Sequence, residues 1–325
     1  MNGGPVTIRD GHFVVTGAGP FSLGQAVADQ LAATAAASNV KVLAIDAAPG
    51  SPGRSNVVPC RFDLNPLHDV SGYEAWSFEL KRLVSSLSGP GDTDRPIVGV
   101  LLAAAKYHVG RFESTSPRER MDVLGATVLG NCEVLHAVMH HNATLGFDNA
   151  DVLSVVDVGS LHFVRGTPHR ALYCSAKAVG RALCSLLVAG FEVRSAVHVV
   201  PGPIDTPMLH WSHWVLRERG DANFLHEVRG KLPSLYAAIF RNGDSTALEA
   251  AIRLLHCHNS DGIREVFPRY TQRRKILSEA DDGITTPEAL GAYIAELMSH
   301  QARSESGVLE FVSPQGQLRV NSRPF

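Results

Sequence analysis

The chain has 325 residues, 45% of them hydrophobic, which is enough for one enlarged core. Its 30 basic and 32 acidic residues nearly cancel and its pI is near 6.7, so no excess positive charge is available to neutralise a nucleic-acid backbone or an anionic membrane. Met1 to Asp10 lacks a basic segment followed by an apolar one, no apolar run approaches the ~20 residues of a bilayer span, and Cys60, Cys132, Cys174, Cys184 and Cys257 form no CxxC pair; the expectation is a reduced, cytoplasmic protein with neither a nucleic-acid nor a membrane partner.

Short runs rich in Val, Ile and Leu alternate with segments of helical period, which predicts an α/β fold with a doubly wound parallel sheet of about seven strands. Strands are expected over His12 to Thr16, Lys41 to Asp46, Asn56 to Cys60, Ile97 to Ala104, Val152 to Val158, Val193 to Val200 and Val308 to Val312. Helices are expected over Leu23 to Ala36, Tyr73 to Ser88, Pro117 to His140, Ala171 to Ala189 and Pro287 to His300. The last begins with Thr286 as its cap, Pro287 in the first helical position and Glu288 at the positive end of the dipole. Between Met208 and Thr285 the alternation stops. This stretch of about 75 residues, which includes a Thr246 to Glu249 capping box, reads as an insertion, 209–284, within a single domain spanning 1–325.

The first strand runs directly into Thr16-Gly17-Ala18-Gly19-Pro20-Phe21-Ser22-Leu23-Gly24 and then a helix. Glycines between a strand and a helix N-terminus let backbone amides approach a pyrophosphate, whereas an isolated glycine-rich loop is often only a tight turn. Gly17, Gly19, Phe21, Leu23 and Gly24 are the expected contacts. Asp46 closes the second strand, where a carboxylate accepts from both adenosine ribose hydroxyls and repels a 2′-phosphate, so NAD(H) is favoured over NADP(H). Arg54 keeps a 2′-phosphate contact open, and Asp63 is placed to meet the adenine amino group.

Tyr173 and Lys177 form a YxxxK pair, a spacing that puts both side chains on one helix face. Ser160 ends a strand 13 residues earlier, and Pro201-Gly202-Pro203-Ile204-Asp205-Thr206 follows the next strand. In these elements and their order the chain resembles the short-chain dehydrogenases/reductases, from the first strand to the Gly307 to Val312 strand, with only the insertion outside the likeness. The resemblance implies a Rossmann-type sheet and a nicotinamide cofactor. It implies that Tyr173 transfers the proton, helped by an ammonium that lowers a phenol pKa of ~10. Lys177 would also hold the nicotinamide ribose, and Ser160 would donate to the substrate oxygen. Ala103 and Ala104 would line the cofactor channel, and Pro201, Gly202, Ile204 and Thr206 the carboxamide. Relatives pair the helices matching Pro117 to His140 and Ala171 to Ala189 across a two-fold axis, which implies a homodimer or homotetramer.

Three departures stand against that pattern. The glycine loop is one residue longer than the commonest form, Ala103-Ala104-Ala105-Lys106 replaces Asn-Asn-Ala-Gly, and the relay asparagine becomes Thr127, with Asn131 one turn on as an alternative. The expectation is an NAD(H)-dependent oxidoreductase acting on a carbonyl or secondary alcohol. Two rivals stay open: a nucleotide-binding regulator without turnover, and redirected chemistry such as double-bond reduction, epimerisation or elimination. Met208, Leu209, Trp211 and Trp214 are expected to wall a substrate pocket, with Arg217 and Arg219 as a carboxylate clamp. His256-Cys257-His258 and the His210/His213 pair lack a further ligand at a fixed offset, so no metal is expected.

Overall fold

The five residues of β1 (His12–Thr16) and the six of β4 (Ile97–Leu102) are buried without alternation. Strands of that kind need cover on both faces, and helices supply it. The computed structural model describes residues 11–208, 285–299, 307–312 and 319–323, apart from short stretches at 20–21, 35–39, 48, 50–53, 69–70, 89–94, 109, 167–168, 203, 205 and 207. The expected insertion at 209–284, with Leu209, Trp211, Trp214, Arg217, Arg219 and its histidines, lies outside the described residues, as does Phe21.

The remaining strands are β2 (Val42–Asp46), β3 (Val57–Arg61), β5 (Ser154–Val158), β6 (Ser195–Pro201), β7 (Gly307–Val312) and β8 (Arg319–Arg323). All eight form one sheet in the order β3-β2-β1-β4-β5-β6-β7-β8. Seven run parallel, as the sequence predicts, and β8 adds an antiparallel edge through pairs such as Val308 with Arg323. Its sequence, RVNSR, has a single apolar residue, so this strand is held through backbone pairing that periodicity does not announce.

Helices α1 (Leu23–Thr34) and α8 (Pro287–Ser299) cover one face, packing Val27, Leu31, Leu290, Ile294 and Met298 against Phe13 and Val15. On the other face, α2 (Tyr73–Ser85), α4 (Gly130–Thr144) and α7 (Ala171–Ala189) pack Leu80, Val138 and Leu187 against Val14, Val100 and Val155. Thr286 caps α8 as expected, accepting from Ala289 N at 3.2 Å. Two short helices, α5 (Asn149–Val152) and α6 (Leu161–Arg165), flank β5.

The single helix expected over Pro117 to His140 is divided. α3 (Pro117–Leu124) starts from a Ser116 and Glu119 capping box, and one π-helical turn, Gly125–Leu129, joins it to α4. The expectation that no apolar run suffices for a membrane span is corrected: the 19 residues of α7 are long and apolar enough by length and composition. That helix nevertheless packs on β5 and β6 and buries Lys177.

Asn142 fastens the end of α4 to the start of β4 by imitating a strand. Its Oδ1 accepts from Ile97 N at 2.8 Å, and its Nδ2 donates to Ile97 O at 2.9 Å and to Asn149 Oδ1 at 3.0 Å. Asn142 is fully buried, so Asn142→Leu leaves two backbone groups unpaired away from water. The expected loss is about 2 kcal/mol or more of unfolding free energy. A urea titration with unchanged slope and a lower midpoint checks it.

Candidate active site

β1 ends at Thr16, and its hydroxyl is a junction. It accepts from Ala103 N at 2.8 Å and Ala104 N at 3.0 Å, and shares its proton between Leu101 O at 3.1 Å and Asn131 Oδ1 at 3.0 Å. This draws the segment after β4 so close that a Cβ on Gly17, whose φ is +67°, would lie 2.9 Å from the Ala103 carbonyl. A Cβ on Gly24 would lie 2.5 Å from Gly17 O. Ser22 donates to Gly17 O at 2.7 Å while accepting from Gln25 N at 3.1 Å, which caps α1. Gly19 and Leu23 are buried in this turn. The side-chain-free approach to a helix N-terminus fits a pyrophosphate.

Asp46 ends β2 on the same sheet edge, half-buried, one position beyond the Thr16 and Ile45 pair. In register beside it on β3 stands Arg61, a cation the sequence reading passed over. Arg54 is corrected as a candidate: it lies in a turn before β3, whereas Arg61 ends that strand beside Asp46, so the length of β3, about 13 Å, separates the turn from Asp46. Asp63 is exposed beyond β3, with Oδ1 accepting from Asn65 N at 3.0 Å.

Ser160 follows β5 and caps α6, accepting from His162 N at 3.2 Å. α7 carries Tyr173 and Lys177 to the same edge, where the Ser160 hydroxyl acts on the Tyr173 phenol. All three side chains are buried, at 9%, 6% and 4% exposure. Burial pushes the Tyr173 phenol well above its ordinary value; Tyr107 adds to this, while the Ser160 hydroxyl and Arg170 oppose it. The Tyr107 ring meets Tyr173 edge-on with centroids 4.7 Å apart. Arg170 Nε donates to the Tyr107 hydroxyl, with the guanidinium 5.7 Å from that ring. Arg170 lies three residues before Tyr173, but Tyr107 lies 63 residues before Arg170 and meets it only in the fold, and neither carried a sequence signal for this contact.

Lys177 Nζ donates to Val158 O at 2.7 Å, and burial pushes its pKa down. The relay position sits in the π-helical turn. Thr127 Oγ1 accepts from Lys106 N at 3.1 Å, and Asn131 Nδ2 donates to Thr127 O and Ala104 O, both at 2.9 Å. Both candidates therefore hold backbone, and both line a cavity of about 10 Å³ shared with Lys177 and Asp157. That is about the volume of one water molecule's centre.

At the end of β6, Pro201 is buried, while Gly202, Ile204, Thr206 and Met208 are half-buried. Thr206 N donates to Ile204 O at 2.7 Å. Ile204 and Thr285 form an isolated parallel bridge beside this edge.

Gly17→Ala places a methyl group against Ala103 in a left-handed backbone that L side chains rarely adopt. The expected cost is about 1–3 kcal/mol of stability. A thermal melt indistinguishable from wild type would show that the loop has another conformation.

No protein-family model and no curated protein matches the sequence. Solved structures do match in fold. The aldohexose dehydrogenase of Thermoplasma acidophilum, in ligand-free form, is 16% identical with a TM-score of 0.61, covering 94% of this chain and 93% of its own. The 3-ketoacyl-(acyl-carrier-protein) reductase of Brucella melitensis, complexed with NADH, is 18% identical with a TM-score of 0.54, covering 93% and 96%. A short chain dehydrogenase family protein from Francisella tularensis is 15% identical with a TM-score of 0.56, covering 93% and 97%. The chain has the fold of the short-chain dehydrogenases/reductases.

Proposed function

We propose that the protein is an NAD(H)-dependent oxidoreductase of the short-chain dehydrogenase/reductase family, interconverting a carbonyl and a secondary alcohol on a small organic substrate. The observation that carries this reading is that Ser160, Tyr173 and, one turn on, Lys177 are buried together at the sheet edge where the glycine loop lies, with the Ser160 hydroxyl acting on the Tyr173 phenol. Open α/β sheets bind ligands at that edge.

The glycine cradle fits a dinucleotide, because the space that a Cβ on Gly17 or Gly24 would fill is already closed by backbone. Gly17, Gly19, Leu23 and Gly24 would hold the pyrophosphate, Asp46 the adenosine ribose, Lys177 the nicotinamide ribose, and Ala103, Ala104, Pro201, Gly202, Ile204 and Thr206 the remaining wall. A bound nicotinamide supplies the hydride. The protein supplies the proton: Tyr173 gives it to the substrate oxygen in reduction and takes it back in oxidation, and Ser160 steadies the charge on that oxygen.

The bridge between Ile204 and Thr285, which holds both flanks of 209–284 beside this edge, supports a lid role for that segment over a pocket that begins at Met208. Leu124, Leu129, Val179 and Leu186, which are 38%, 39%, 41% and 67% exposed on α3, the π-helical turn and α7, support a homodimer or homotetramer through these helices.

Because burial raises the Tyr173 pKa, the phenol is protonated at neutral pH. Reduction should therefore run level through neutral pH and fall only as pH rises into the tyrosine range, whereas oxidation should climb with pH. Tyr173→Phe should lose roughly 10² or more in turnover with NADH affinity nearly unchanged. Stopped absorbance assays with NADH and a panel of ketones check both, and a near-normal rate in the variant would sink the mechanism.

Asp46 faces a 2′-phosphate with like charge, so NAD(H) should bind roughly tenfold or more tightly than NADP(H), for about 1.4 kcal/mol. Calorimetry with both cofactors decides. Equal or tighter binding of NADP(H) would make Arg61 the residue that governs the choice.

A further inference from the structure

Two ionisable residues interrupt strands that are otherwise nearly apolar: Asp157 in SVVDV of β5 and His198 in SAVHVVP of β6. They stand opposite each other in register, 5% and 0% exposed, with His198 Nδ1 2.7 Å from Asp157 Oδ2. Two glycines make the room. A Cβ on Gly180 of α7 would lie 2.0 Å from Asp157 Oδ2, and one on Gly159 would lie 2.4 Å from His198 Nε2.

The pair is not the base of an acyl-transfer triad, although Ser160 is close in sequence. His198 Nε2 has no hydrogen-bond partner, while the Ser160 hydroxyl accepts from His162 N. A proton on Nε2 would be buried without an acceptor, so the ring carries its proton on Nδ1 and donates it to the carboxylate. The pair therefore holds one negative charge. Buried charges persist only when compensated.

The compensating cation is Lys177, one turn before Gly180 on α7 and 4% exposed. One of its three N–H groups goes to Val158 O. The cavity of about 10 Å³ is lined by both Lys177 and Asp157, with Thr127, Asn131 and Gly180 completing the wall. The other ionisable groups acting there are the thiols of Cys132 on α4 and Cys184 on α7, which burial and the Asp157 charge keep protonated. Glu133, next along α4, is bonded to the Tyr73 hydroxyl. We propose that Asp157, oriented by His198, is the buried counter-charge of Lys177 and positions its ammonium through one water in this cavity. Burial alone pushes Lys177 toward the neutral amine, and the carboxylate pushes it back.

Asp157 is thus a positioning residue. Its service to cofactor and phenol rests on the dehydrogenase reading, but the charge pairing does not. Asp157→Asn keeps the size and removes the charge, and Lys177→Met removes the partner. In a thermal-melt cycle each single variant should melt below wild type, while the double variant should melt no lower than the worse single, because it leaves no uncompensated charge. Additive losses would overturn the pairing. If Asp157→Asn does not fold, Lys177→Met should restore folding in the double variant, and failure to do so would equally overturn it. NADH affinity followed by fluorescence against pH gives a second readout. Wild type should lose affinity when Lys177 gives up its proton, and Asp157→Asn should show that loss about one pH unit or more lower. Superimposed curves would overturn the proposal. If neither protein bound NADH, the dinucleotide reading would fail while the melting cycle still decided the charge pairing.

Discussion

The architecture of the site depends on how closely the end of β1 is drawn to the segment after β4. The Thr16 hydroxyl accepts the amides of Ala103 and Ala104, and Asn131 ties the same hydroxyl to Ala104 O from α4. Gly17 must then pass within a distance of the Ala103 carbonyl that excludes any side chain. Ser22 then ties Gly17 O to the first turn of α1. At this crossing Ala103 and Ala104 make their contacts through backbone.

The same junction governs the interruption of the long helix. Thr127 accepts the Lys106 amide while its carbonyl is taken by Asn131, so the helix must present two groups toward one strand end. A regular α-helix satisfies its carbonyls along its own axis; a π-helical turn releases one for this use. The arrangement leaves the small cavity beside Lys177 that a bulkier or straighter helix would close.

Burial acts on the two central groups in opposite senses. It raises the Tyr173 phenol and lowers the Lys177 amine, since in each case the charged form is the one penalised. Each pKa unit is worth about 1.4 kcal/mol, so small contributions from neighbours decide which protonation state the site works from. Ser160 and Arg170 relieve the phenol, and the Asp157 carboxylate relieves the ammonium. The site therefore works through compensated burial, with polar groups from β5, β6, α6 and α7 meeting at one edge.

The order of strands and helices was legible in the sequence because apolar runs buried on both faces read as parallel strands. β1 and α7 match their expected bounds to the residue. The glycine loop, Ser160, Tyr173 and Lys177 were legible because their spacing is fixed by a strand, a turn and a helix, all local. The edge strand β8 was not, since RVNSR has a single apolar residue and no run that periodicity could mark. The π-helical turn and the engagement of Thr127 and Asn131 depend on where β4 ends in space. Arg61 rather than Arg54 stands beside Asp46 because strand register decides it, and register is a relation between segments distant in sequence. Asp157 and His198 were visible as polar residues inside apolar strands, but only the tertiary structure joins them, since 41 residues separate them along the chain and 2.7 Å in the fold.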